Sequence, residues 1–226
     1  MADGLRGISV IAFDIDGTLY PSYRLNLRVC GYFLRHLGFF LHYNKVRKQL
    51  HRTAPLADFY EYQGRLLALE MHCTVEEAKA NIQSIVYDGL KPHFCRIKPF
   101  RGMQEAIAAL HAAGYRIALL SDFPPSQKGE LWGIVPHCEL ILGSEALGAL
   151  KPSKYPFGVM AQALGVPLES ILYVGNSVRC DVRGANNAGM KSAYLLPLWR
   201  RLLRRPLKEA DICFANYRQL QDIVLK

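Results

Sequence analysis

Five short apolar runs constrain this chain more than any other feature. They are ISVIAF at 8–13, IALLS at 117–121, ELILG at 139–143, ILYVG at 171–175 and SAYLL at 192–196, all rich in Ile, Val, Leu or Ala. A continuous apolar run of this length, without alternation, is the pattern of a strand buried on both faces, as in a parallel sheet. Helical spacing fills the gaps between them. Met103, Ala106, Ile107 and Leu110 recur at i, i+3, i+4 and i+7, and Gly114 supplies a stop. The stretches Tyr155 to Leu164, Val178 to Ala188 and Tyr217 to Leu225 read the same way. Strand–helix–strand repetition predicts an α/β fold, a doubly wound parallel sheet with right-handed crossovers.

The interval from about Tyr20 to Lys98 breaks the alternation and reads as helical throughout. Its clearest helix is TVEEAKANIQSIVYDGL, with Thr74 as N-cap, Glu77 three residues on, and Gly89 as its expected end. This predicts a helical insertion over the sheet, with a core of residues 1–19 and 99–226 around an inserted unit of 20–98. Its aromatic residues Tyr23, Tyr32, Phe39, Phe40, Tyr43, Phe59, Tyr60 and Tyr62 are expected mostly in the interior of that unit, and some of its arginines at the cleft.

The 226 residues suit one large domain or a core with an insertion, and the net charge of +9 is localised. No acid occurs between Gly17 and Ala57, and none between Val182 and Lys208, where LWRRLLRRPLK stands. Charge of this kind favours anions, without pointing to nucleic acid. The six cysteines lack any C-x-x-C spacing, which disfavours a zinc site or a disulfide scaffold and suits thiols of a reducing compartment. The most lipid-like segment, VCGYFLRHLGFFLHY, is interrupted by Arg35-His36 and too short to span a bilayer. The expectation is a cytoplasmic protein with no membrane span.

Polar residues fall where the runs end. The first ends at Asp14, the second at Ser121-Asp122 and the fourth at Gly175-Asn176, while the third leads to Lys151-Pro152. Ligands of open α/β sheets bind beyond the carboxyl ends of the strands. Carboxylates, a hydroxyl, an ammonium and an amide therefore meet at one edge. This set suits phosphoryl transfer, in which the protein positions the group, neutralises charge and offers a nucleophile. A Mg²⁺ ion held by one or two carboxylates and the substrate phosphate offsets the clustered negative charge.

DIDGTLY, LLSD, KPSKYPF and GNSVRCDVRGANNAG stand in this order at these strand ends. Together they resemble the four motifs of the haloacid dehalogenase-like (HAD) hydrolases, over about residues 8–20 and 99–196. The resemblance implies a Rossmann-like core with an all-helical cap between the first and second motifs. It also implies a Mg²⁺-dependent phosphatase for a small phosphorylated metabolite, working through an aspartyl-phosphate. By this likeness Asp14 is the nucleophile and touches the metal. Asp16 is the general acid and then base, and its carbonyl also binds metal. Thr18 orients Asp16. Ser121 and Lys151 bind phosphate, with Asp122 beside them, and Asp181 is the second metal-associated acid.

One position departs from the pattern, because Asn176 stands where most phosphatases of the family carry an acid. An amide oxygen still ligates Mg²⁺ but removes a charge, and unit charges ~4 Å apart interact by roughly 4 kcal/mol at an effective dielectric near 20. Asp16 disfavours a dehalogenase, since breaking a carbon–halogen bond needs no acid to protonate an oxygen. A sugar phosphomutase shares both aspartates. A non-catalytic binding module, holding RNA, lipid or protein through its basic segments, is the alternative from another class. Lys128, Lys154 and the seven histidines are expected to be solvated or packing residues.

Overall fold

The computed structural model describes residues 5–226. Its strands are β1 (Val10–Phe13), β2 (Arg116–Ser121), β3 (Cys138–Gly143), β4 (Ile171–Gly175), β5 (Lys191–Leu195) and β6 (Ile212–Phe214). They form one six-stranded sheet in the order β3-β2-β1-β4-β5-β6, and every pairing is parallel. The chain winds outward from β1 to β3, then returns to β4 on the other side of β1. The switch point of this α/β sheet therefore lies between the carboxyl ends of β1 and β4.

Alternating side chains explain why the runs are apolar throughout. Ile11, Phe13, Ile117, Leu119, Leu172 and Val174 face one side, where Met103, Ile107, Leu110, Leu220 and Val224 cover them. Val10, Ala12, Ala118, Leu120, Ile171 and Tyr173 face the other, against Phe157, Met160 and Leu164. The covering helices are α6 (Met103–Ala112) and α10 (Tyr217–Leu225) on the first side, and α7 (Lys154–Leu164) on the second. Burying each such side chain stabilises the fold by roughly 1.5–3 kcal/mol. β3 departs from the expected double burial: it is the sheet edge, and its residues are half-buried or exposed. The three-residue β6 carries too short a run to be read from sequence.

Between residues 22 and 94 the elements are all helical, with no strand between β1 and β2: α1 (Ser22–Arg35), α2 (Leu37–Leu50), α3 (Phe59–Met71), α4 (Val75–Asn81) and α5 (Gly89–Phe94). α1 and α2 break at His36, inside the segment that looked most lipid-like. No helix among the described residues is long and apolar enough to cross a membrane. Thr74 caps α4 with a complete capping box from Glu77. Gly89 does not end the helix. The chain passes through a π-helical segment, Ile82–Asp88, into α5, and Gly89 keeps helical angles. Its role is spatial: a Cβ there would meet Tyr32 Oη at 1.9 Å. The expected helix from Val178 likewise begins as a π-helical turn, Val178–Val182, before α8 (Arg183–Ala188).

The aromatic residues divide. Phe39, Phe40, Tyr43 and Phe59 are buried, whereas Tyr23 and Tyr60 are exposed. The hydrophobic cluster is continuous from β1 into this helical region, joining Ile11 and Phe13 to Phe39, Val46 and Val86. The second basic stretch forms α9 (Leu198–Leu202) and its following loop, with Leu198, Trp199, Leu202 and Leu203 exposed.

Candidate active site

The ends of β1, β2 and β4 and the loop after β3 bring their polar residues together. Asp14 follows β1 and is buried, its N–H donating to Val174 O of the neighbouring β4. The chain then turns sharply. Leu19 N–H donates to Ile15 O, Tyr217 Oη to Thr18 O, and Gly17 takes φ +86°. Only glycine fits there, since a Cβ would lie 2.4 Å from both Asn176 Nδ2 and Ser22 Oγ.

Lys151 is the hub of the buried charges. Its Nζ donates to Asp14 Oδ1 (2.7 Å), Asp181 Oδ1 (2.8 Å) and Tyr173 Oη (3.0 Å). Tyr173 passes its own proton to Leu120 O at 2.9 Å, which fixes its lone pairs toward the ammonium. Burial alone would lower its pKa, but Asp14 and Asp181 prevail and hold the ammonium well above the ordinary lysine range. Asp14 is pushed up to about 7, by burial first; Lys151 opposes that rise, and Asp181 and Asp16 add to it. Asp181 Oδ2 accepts from the N–H groups of Asn176 (3.1 Å) and Ser177 (2.8 Å), so this carboxylate shapes the loop after β4 as well as pairing with Lys151.

Asp16 has a different environment from Asp14. Its oxygens accept from Tyr20 Oη (2.6 Å) and Ser121 Oγ (2.9 Å), and Lys128 Nζ lies 3.2 Å from Oδ1. Burial would raise its pKa, but Lys128, Tyr20 and Ser121 overcome this and hold the carboxyl below its ordinary value. Asp122 accepts on Oδ1 from Ser144 Oγ (2.6 Å) and Lys151 N (3.0 Å), so it fixes the loop that carries Lys151. His51 Nδ1 lies 2.6 Å from Lys151 O.

Two expectations change. Thr18 does not orient Asp16. Its hydroxyl donates to Asp14 Oδ2 (2.8 Å) and stands 3.2 Å from Asn176 Oδ1. Lys128 is not solvated: its side chain is fully buried, with Nζ over Phe94 (4.0 Å) and Phe123 (5.4 Å) as well as beside Asp16. Lys154, by contrast, is exposed. Tyr20 and Tyr173 were not read from the sequence; only Tyr20 carried a local signal, four residues after Asp16 beside a strand-end turn.

The donor set around Asp14 suits a hard cation. Thr18 has one hydroxyl proton for two acceptors, so Asp14 Oδ2 and Asn176 Oδ1 converge on one spot with lone pairs to spare. Every group there is an oxygen donor. A cavity of about 590 Å³, with Lys79, Lys91 and Gln127 in its lining, holds none of these residues. A smaller one of about 250 Å³ opens on Asp16.

The profile of the haloacid dehalogenase-like hydrolases matches residues 8–189. The chain belongs to this family. A phosphoglycolate phosphatase of Xylella fastidiosa is 27% identical over 84% of this chain and 80% of its own length. A glyceraldehyde 3-phosphate phosphatase of Methanopyrus kandleri is 28% identical, over 81% and 82% of the two chains. Among solved structures, the L-2-haloacid dehalogenase of Xanthobacter autotrophicus superposes with TM-score 0.65 at 18% identity, covering 96% of this chain and 98% of that one. That likeness is one of fold, and this HAD-like hydrolase shares the fold with phosphatases and dehalogenases alike.

Proposed function

We propose that the protein is a Mg²⁺-dependent phosphomonoesterase that acts on a small phosphorylated metabolite through a phosphoryl group carried on Asp14. The observation that carries this reading is Asp16. A second carboxylate stands beside the buried Asp14, held by Tyr20 and Ser121, with its side chain 28% exposed toward the cavity. Displacing a halide leaves such a group without work. Displacing an alkoxide gives it a proton to deliver. The phosphatase names of the relatives point the same way.

In this scheme a carboxylate oxygen of Asp14 attacks phosphorus, and the bond from phosphorus to the ester oxygen breaks. Asp16, ionised in the free protein, takes up the proton of the phosphate monoanion as substrate binds and delivers it to that oxygen, and the alcohol leaves. Asp16 then takes a proton from water as the water oxygen attacks phosphorus, which releases orthophosphate and restores Asp14. Lys151 favours the ionised nucleophile, and the Ser121 hydroxyl sits where a phosphate oxygen needs a donor. Asp14, the Asp16 carbonyl and the Asn176 amide would hold Mg²⁺, with Asp181 adding charge from behind. When bound, the ion neutralises charge on the phosphoryl oxygens.

Residues 20–98 act as a cap over a core of 1–19 and 99–226, excluding water and selecting the leaving group. The six free thiols suit a cytoplasmic setting.

Phosphate release from an aryl phosphate in Mg²⁺, wild type against Asp14→Asn, tests the assignment. Release that the substitution abolishes supports it, and equal release by both proteins refutes it. Interconversion of sugar phosphate isomers with little free phosphate would assign a mutase instead.

A further inference from the structure

The cavity of about 250 Å³ that opens on Asp16 has an unusual lining for a family of polar substrates. The alcohol that leaves must sit against the group that protonates it, so this space is where the leaving group lies. Phe33, Phe40, Phe94 and Phe123 form its walls. Phe33 and Phe40 lie with ring centroids 4.1 Å apart.

Among the described residues that line the cavity, Asp16 carries the one charge. The two cations nearby are already engaged. Lys128 pairs with Asp16 against the Phe94 ring. Arg47 is buried on Glu145 and Gln63, with Tyr87 Oη completing Glu145. Neither Lys128 nor Arg47 is therefore free to receive a carboxylate or a second phosphate, and bringing an unpaired anion here would cost several kcal/mol.

Tyr20, Ser22, Asn26 and Asn44 supply the uncharged polar groups of the lining. Tyr43 Oη is enclosed beside Arg47 and does not face the space. The volume sets the size, since about 150 Å³ suffices for a benzene ring and drug-sized ligands fill roughly 300–1,000 Å³.

From this we infer that the substrate is the monophosphate of a small uncharged alcohol, built around an aromatic or apolar group about one ring in size that lies against Phe33, Phe40, Phe94 and Phe123. The inference rests on the phosphatase reading above and narrows it.

Steady-state hydrolysis of benzyl phosphate and phosphoglycolate tests it, in Mg²⁺ with wild type, Asp14→Asn and Phe33→Ala. Wild type is expected to favour benzyl phosphate over phosphoglycolate at least tenfold in kcat/KM. Phe33→Ala should lower kcat/KM for benzyl phosphate about fivefold, mainly through KM, as expected for lost apolar contact, and should affect phosphoglycolate less. Asp14-dependent hydrolysis that favours phosphoglycolate, or an equal effect of Phe33→Ala on both compounds, overturns the substrate class while leaving the phosphatase standing. No Asp14-dependent release from any compound overturns both.

Discussion

Lys128 Nζ stands 3.2 Å from Asp16 Oδ1 with its own side chain wholly buried. The pair has a pH signature. Asp16 lies below its ordinary pKa in the folded protein, because Lys128 and the Tyr20 and Ser121 hydroxyls overcome the effect of burial. Its contribution to stability is therefore present above the unfolded value, about 3.9, and is lost as pH falls through the depressed folded value. Lys128→Met removes the largest lowering influence. Between about pH 5 and pH 2 the wild type should lose more melting temperature than Lys128→Met, measured by calorimetry in EDTA. Parallel curves would mean that the two groups are not coupled.

Thr18 serves Asp14 and the Asn176 loop. Thr18→Val keeps the shape but leaves Asp14 Oδ2 without its donor. One missing bond to a charged group corresponds to roughly 1.5–3 kcal/mol, so kcat should fall on the order of tenfold to a hundredfold. Thr18→Ser restores the hydroxyl and most of the rate. A failure of serine to rescue would point to lost packing at this fully buried position.

In the proposed cation site, Asn176 supplies an amide where an aspartate would add a charge. Asn176→Asp places a carboxylate where the amide oxygen now faces Asp14 across Thr18. The extra attraction, roughly 4 kcal/mol per pair of unit charges at ~4 Å, is offset in part by repulsion from Asp14. The Mg²⁺ concentration for half-maximal activity should fall at least tenfold, and without Mg²⁺ the variant should melt lower than wild type. An unchanged Mg²⁺ requirement would place the ion away from Asn176.

The helical region is fastened to the sheet domain by a buried ion pair. Arg47 of α2 meets Glu145 of the loop after β3, and its guanidinium lies 4.6 Å from the Phe123 ring centroid. Removing one partner strands a buried charge, so Arg47→Met should cost about 3–5 kcal/mol in denaturant unfolding. Replacing both partners, Arg47→Met with Glu145→Met, should cost less than Arg47→Met alone. A double variant as unstable as the sum of the singles would mean that the pair is not coupled.

What could be read in advance depended on how local the signal was. β1, β2, β4 and β5 showed plainly because both their faces are covered, so their runs are mostly apolar. Asp14, Asp16, Ser121 and Lys151 showed because topology alone places strand ends along one edge. Lys128 did not show, since its burial depends on Asp16, Phe94 and Phe123, residues distant in sequence. Gly89 misled because its reason is the Tyr32 side chain of another helix, where a glycine usually signals a stop. The partners of Thr18 are likewise a tertiary fact with no pattern in the chain.

The central claim is that Asp14 carries the phosphoryl group. Acid quenching during turnover in Mg²⁺, followed by peptide mass spectrometry, tests it most directly. The account predicts a phosphoryl group on the peptide that holds Asp14, and neither label nor turnover in Asp14→Asn. A phosphoryl group on any other residue, or sustained turnover by Asp14→Asn, would contradict it.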